Sequence, residues 1–181
     1  MTFPLLKTSR LLLTEVTPDH APALFEIFSN PEVIKYYGMD LMYEQAQADK
    51  IIQHFRTNFE AEKGIRWAIM MKDRNQFVGT IGLNNLVLGM KRAEVGFEMH
   101  PDFWRSGITS EALQEVLHYS FTELGLHRIG AVTFLANGAS IGLLKTNGFI
   151  EEGKLRSYLF QNGHSHDALM FSRIHNDGSV K

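Results

Sequence analysis

Residues 104–112 read WRSGITSEA, and no other stretch of this chain restricts its fold as much. A strand-like alternating run ends just before it at Pro101-Asp102, and an apolar-periodic helix opens inside it. The turn between the two carries Ser106, Gly107 and Thr109. A helix start leaves backbone N–H groups without partners at the positive end of the helix dipole, which makes it a seat for a phosphate or pyrophosphate. Gly107 has no side chain to keep an oxygen away from the backbone. The alternative is an ordinary strand-to-helix turn with Ser106 as its cap.

The remaining pattern surrounds this loop with a mixed sheet. Residues 10–16 form a Leu-rich strand closed by Thr17-Pro18, and Thr17 caps a helix that runs to Ser29 and stops at Asn30-Pro31. Residues 33–43 are irregular and aromatic. A helix over 44–62 carries Ile51, Ile52, Phe55 and Phe59 on one stripe and ends at Gly64. Strands follow over 66–71, 77–88 and 92–99, with connections short enough for antiparallel pairing. A helix over 107–124, a strand over 127–135 and a short helix over 139–146 come next. A closing hairpin, 149–158 with 166–174, turns around Gln161-Asn162-Gly163. The expected class is α+β, a mixed sheet of mostly antiparallel strands with one strand–helix–strand crossover. Its two parallel strands are expected to be neighbours, with ligand binding beyond their carboxyl ends. One domain spans 1–175, and 176–181 reads as a disordered tail.

Composition limits the chemistry. A net charge of −2 and the lack of a long basic run give no electrostatic footprint for nucleic acid. There is no signal-peptide pattern and no apolar stretch long enough to span a bilayer, so no membrane partner is expected. The chain has no cysteine, which excludes disulfides, thiolate metal sites and a cysteine nucleophile, and is compatible with a reducing cytoplasm.

Four constellations carry possible chemistry. On the strand over 92–99, Val95, Phe97 and Met99 face one side and Glu94, Gly96 and Glu98 the other. Glu98 then either accepts a proton in a cleft or pairs with Lys91, Arg92 or Arg66 on the sheet face. Asn137 follows a strand and Ser140 lies in the first turn of a helix, as caps or as groups beside a reacting centre. His164 and His166 share a strand face, but His-x-His without further ligands reads as an edge-strand pair, and no metal is expected. Tyr36, Tyr37, Met39, Met42 and Tyr43 form either a lid over an acceptor pocket or a core patch under a long loop.

Taken in order, TSRLLL (8–13), NPEV (30–33), FVGTIGL (77–83), AEVGFEM (93–99), WRSGITSEAL (104–113), LHRI (126–129) and the N-x-x-S and NGF pieces of 137–149 resemble the GCN5-related N-acetyltransferase (GNAT) family. The RimJ/RimL-type subgroup, which acetylates the N-termini of ribosomal proteins, is the nearest likeness. The resemblance implies acetyl-CoA as co-substrate. Its pyrophosphate would lie on the backbone of Arg105, Ser106, Gly107, Ile108 and Thr109. Its pantetheine arm would lie in a wedge beside Phe97 and Met99, where the strand over 92–99 splays from the one starting at His127. Asn137 and Ser140 correspond to the family's Asn and Ser beside the thioester, with Ser140 protonating the departing thiolate. Trp104 and Thr109 depart from the usual Gln/Arg-x-x-Gly-x-Gly/Ala loop. The family has no invariant base, so Glu98 remains a candidate from its placement alone.

The expected reaction is direct acetyl transfer to a primary amine. An N-terminal amine, with a pKa of roughly 8, needs only modest help from a base, whereas a lysine near 10.4 needs far more. The expected acceptor is a protein or peptide N-terminus. A small amine (polyamine, amino acid or aminoglycoside) and a non-catalytic acyl-CoA-binding module are the alternatives. An acidic cleft would favour the polycationic acceptors. A homodimer is compatible with all three.

Overall fold

The computed structural model describes residues 2–176. Its spine is one eight-stranded sheet in the order β1-β2-β3-β4-β5-β6-β8-β7. The first five strands are β1 (Leu6–Lys7), β2 (Leu11–Glu15), β3 (Ile65–Met71), β4 (Gln76–Val87) and β5 (Arg92–Met99), each antiparallel to the one before. Helix α4 (Ile108–Thr122) then crosses over to β6 (Arg128–Phe134), parallel to β5. Helix α5 (Gly138–Thr146) leads into the hairpin of β7 (Ile150–Gln161) and β8 (His164–Ile174).

The class and the crossover are as expected, and the strand order adds to them. β8 lies between β6 and β7, pairing antiparallel with both. The strands flanking α5 are therefore parallel but not adjacent, and the last strand takes the inner place. Its side chains suit that place, because Ala168 and Phe171 are fully buried whereas β7 is mostly exposed. As the sheet edge, β7 is broken by register shifts between Glu151 and Gly153 and between Leu155 and Leu159. Such bulges twist an edge away from further pairing.

Each face of the sheet has its own core. Trp67, Ile69, Ile81, Leu83, Val95, Met99 and Ile129 pack against Ala112, Leu113, Val116 and Leu117 of α4. The other face packs Ala68 with Val16, Leu24, Phe28, Ile34, Met42, Ala48 and Ile52, drawn largely from α1 (Ala21–Phe28), α2 (Pro31–Ile34) and α3 (Gln45–Glu60).

Local signals misjudged three details. Thr17-Pro18 opens a 3-10 turn, Pro18–His20, before α1 begins. Asn30 ends one helix and also caps the next, its Oδ1 accepting from Glu32 N–H at 3.0 Å. The two-residue strand β1 is too short for periodicity to find. Just after β8, His175 stacks its ring on Phe121 at 5.2 Å and donates its N–H to the carbonyl of His127. From residue 177 on, the tail expected to be disordered lies outside the described residues.

Candidate active site

β5 and β6 pair only over Arg92–Glu94 and Arg128–Gly130. Beyond that point β5 continues to Met99 and β6 to Phe134 without pairing to each other. The sheet opens there into a wedge toward the carboxyl ends of both strands, where parallel strands present ligands. Phe97 and Met99 line the α4 side of the splayed strand, and Glu98 faces the other side. The start of α4 follows from β5, and Asn137 and Ser140 follow from β6. All ten predicted site residues therefore gather at one end of the sheet.

The loop into α4 is built tightly. Trp104, first position of the loop, folds back and donates its indole N–H to the carbonyl of Met99 at 2.9 Å. Arg105 (φ 57°) and Gly107 (φ 77°) both adopt left-handed backbone. Gly107 is the N-cap of α4, and no side chain caps this helix. Around the position of a Gly107 Cβ there is only the tip of Arg10, 3.5 Å away. Glycine is thus favoured there by its φ, and not by crowding. Ile108 is buried in the core and Thr109 is half-buried in the first turn. Open first-turn N–H groups on a 15-residue helix, beside a wedge between parallel strands, fit a CoA pyrophosphate and the arm attached to it.

A clamp with no local sequence signal holds this loop. Glu111, in the first turn of α4, accepts from Arg10 Nε at 2.6 Å, Arg10 N–H at 2.9 Å, Ser9 Oγ at 3.1 Å and Thr8 Oγ1. Partial burial opposes its charge, but these hydrogen bonds prevail and hold its pKa down at about 2. Arg10 Nη1 also donates to the carbonyl of Ser106 at 3.1 Å. In a trans peptide the N–H points opposite to the C=O. Arg10 therefore turns the N–H of Gly107 away from itself.

Across the wedge, α5 begins with Asn137 as its cap, Oδ1 accepting from Ser140 N–H at 3.1 Å. The cap is Asn137, not the Ser140 hydroxyl, which has no hydrogen-bond partner among the described residues.

The opposite face of β5 carries a buried polar network. The side chain of Glu98 is 0% exposed. It accepts from Tyr37 Oη at 2.7 Å and from Thr80 Oγ1, and lies 3.5 Å from Arg66 Nη1. The expected pairing with Arg66 is present, whereas Glu94 accepts from Asn85 at 3.1 Å. Arg66 also donates to the carbonyl of Gly96 at 3.0 Å and to Asn84 Oδ1 at 3.2 Å, and its guanidinium lies 5.1 Å from the Phe55 ring centre. Gly82 and Gly96 lie beside it, although the nearest atoms a Cβ would meet there are the Ile65 carbonyl oxygen and, at 3.0 Å, Asn84 Nδ2 respectively. A Cβ on Gly82 would come within 3.0 Å of Arg66 Cδ, and one on Gly96 within 3.6 Å of its Nη2. Burial, then the charge of Glu98, raises the Tyr37 pKa well above the ordinary tyrosine value. Tyr37 therefore stays a hydroxyl donor.

The aromatic segment is both core patch and cleft wall. Met42 is buried among α1, α2 and α3, while Tyr37 reaches Glu98. Tyr36 lies 6.0 Å from Phe134, and Phe134 lies 5.3 Å from His166. His166 thus packs on a ring, and no group of three or more potential metal ligands occurs among the described residues.

This geometry is that of an acyl-CoA-dependent transferase, and comparison with known proteins agrees. Residues 10–150 match the acetyltransferase (GNAT) domain model, and the chain belongs to that family of acetyl-CoA-dependent N-acetyltransferases. It is 45% identical over 172 residues to the uncharacterized N-acetyltransferase YoaA of Bacillus subtilis (strain 168), covering 95% of this chain and 97% of that one. It is 26% identical to the spermidine N(1)-acetyltransferase of Vibrio cholerae, covering 77% and 79%. RimL, a ribosomal L7/L12 alpha-N-protein acetyltransferase solved with coenzyme A, shares the fold with a TM-score of 0.83 at 21% identity, covering 94% and 98%. No helix among the described residues is long and apolar enough to cross a membrane.

Proposed function

We propose that this N-acetyltransferase acts on the N-terminal α-amine of a protein or peptide. The observation that carries this reading is the charge balance of the acceptor side. Its buried carboxylate, Glu98, is matched by Arg66. In the adjoining loop Asp40 and Glu44 are exposed to water, Asp40 accepting from the N–H of Asn162 at 2.7 Å and Glu44 standing at the N-cap of α3. The wall is otherwise aromatic, with Tyr36, Phe134 and His166. Such a wall buries no unpaired carboxylate for a polycation to meet and suits a single amine carried on a peptide. The kinship with a spermidine acetyltransferase makes a small amine the second reading. The cytoplasm, where acetyl-CoA and new N-termini meet, is the compartment this reading assigns.

Acetyl-CoA supplies an acetyl group activated as a thioester. The chain supplies the rest. The backbone of residues 105–109 seats the pyrophosphate, and Phe97 and Met99 wall the wedge. The amine loses a proton before its nitrogen bonds to the acetyl carbon and the carbon–sulfur bond breaks. In this reading Glu98 accepts that proton through the Tyr37 hydroxyl, and the Ser140 hydroxyl donates one to the leaving sulfur.

Steady-state turnover with free-N-terminus peptides and with spermidine tests the acceptor. Higher kcat/KM for peptides is expected, and a preference for spermidine would overturn the reading. For Ser140→Ala, kcat is expected to fall on the order of ten- to a thousand-fold, with CoA affinity and Tm nearly unchanged. Because Asn137 is the cap, full activity in that variant would remove Ser140 from the chemistry.

A further inference from the structure

The loop that brings Tyr37 to Glu98 joins α2 to α3 and has no repetitive structure of its own. Burial of Met42 holds its far end. The near end, residues 34–40, packs Tyr37 on Phe28 and is tied to the other end of the chain chiefly by one side chain. Gln161, the last residue of β7, is 3% exposed. Its Nε2 donates to the carbonyls of Ile34 and Met39, at 2.8 Å each, and its Oε1 accepts from the N–H of Gly38 at 3.3 Å. The next residue, Asn162, donates its N–H to Asp40. Gly38 has φ 85°, and a Cβ there would meet Leu159 at 3.5 Å and Phe134 at 4.0 Å. The turn therefore lies against both β7 and the splayed end of β6.

Only an amide can make this set of contacts. Both amide protons go to main-chain carbonyls, and the amide oxygen takes a main-chain N–H. A carboxylate of the same length would face two carbonyl oxygens with nothing to donate. These partners lie 122 to 127 residues away in sequence.

We infer that Gln161 is a positioning residue for the acceptor side of the cleft: it clasps the 34–40 turn and thereby sets Tyr37 on Glu98. The inference rests on the proposed reaction only in taking this wall as the one the amine meets. The register of β7 shifts between Leu155 and Leu159 and then resumes pairing with β8 through Gln161, which fixes the strand end that bears the clasp.

Three full-length variants test it. Gln161→Met keeps the volume without the hydrogen bonds, Gln161→Glu keeps the acceptor without the donors, and Tyr37→Phe identifies the Tyr37 signal. Hydrogen–deuterium exchange over 34–41, ultraviolet titration of tyrosine and calorimetric CoA affinity are measured on each, with peptide KM and kcat. In both Gln161 variants exchange over 34–41 is expected to rise at least tenfold. One extra tyrosine, the one absent from Tyr37→Phe, is expected to ionise near the ordinary tyrosine pKa. CoA Kd is expected to stay within about twofold while peptide KM rises about tenfold. Unchanged exchange and an unchanged tyrosine titration in a folded Gln161→Met would overturn the inference, as would a loss of CoA affinity equal to the loss for the peptide. If the wild type turns over no peptide, the proposed acceptor fails, and the exchange and titration still decide the role of Gln161.

Discussion

Glu111 and Glu98 stand on opposite sides of the same cleft and hold it in different ways. Glu111 lies near the surface and collects main-chain and side-chain donors from Thr8, Ser9 and Arg10. Its charge stays in contact with water, and its geometry binds two distant segments together. Glu98 is sealed from water, takes two hydroxyls and shares its charge with one buried arginine. A surface clamp can lose a partner and be rescued by solvent. A buried pair that loses a partner leaves a charge with no water to stabilise it. The proposed cofactor side should therefore tolerate change in its clamp, and the proposed acceptor side should not.

The largest test of that contrast is Arg66→Ala. It leaves the Glu98 carboxylate uncompensated and should cost about 3–5 kcal/mol of stability, read as a lowered denaturant midpoint. The double variant Arg66→Met with Glu98→Gln should recover much of the loss. A single variant as stable as wild type would show that the two carboxylates do not differ as argued.

Gly107→Trp comes next. Its side chain would occupy the approach to the first turn of α4 and strain a left-handed backbone position. Calorimetry should show CoA affinity reduced by at least about a hundred-fold, or about 2.7 kcal/mol. Unchanged affinity in a folded protein would move the cofactor to another part of the molecule.

Glu98→Gln separates proton transfer from pairing. If the carboxylate takes the amine proton, kcat should fall about ten- to a hundred-fold near neutral pH, and the loss should shrink as pH rises. A pH–rate profile parallel to that of the wild type, with only the Tm lowered, would leave Glu98 as a partner of Arg66 and nothing more.

The smallest effect is expected for Glu111→Gln. The Glu111 pKa falls from 4.5 to about 2 on folding, so its contribution is present above the unfolded value and is lost as pH falls through the folded one. Wild-type stability should decline between these two pH values, and the variant should lack that component while losing about 1 kcal/mol at neutral pH. Identical pH–stability curves would show that the clamp contributes nothing.

The two sides were also unequally visible in the chain. The seat at the start of α4 is legible because its parts lie within nine residues: a strand end, a left-handed glycine and a helix start. The faces of β5 could be read from simple alternation, which put Glu98 opposite Met99. The pairing of Glu98 with Arg66 was one option among three, and its bonds to Tyr37 and Thr80 had no local signal. Arg10 belonged to a recognisable motif without a visible role, and Gln161 read as part of a turn. Trp104 departs from the family's loop pattern, and only its indole bond to the carbonyl of Met99 shows what it does there.

By itself, the sequence determined the order of the longer helices and strands, all but β1 and α2, the crossover and glycine-bearing loop at α4 and the exclusion of cysteine chemistry. Each of these follows from periodicity, capping or residue type acting within a turn or two of chain. Tertiary structure decided that β8 lies inside β7, that Arg66 rather than Lys91 or Arg92 neutralises Glu98, and that residues 101 to 127 positions apart clamp the two sides of the cleft. Those outcomes depend on sheet register and on which side chains packing brings within hydrogen-bond reach, and neither is encoded by any short stretch of residues.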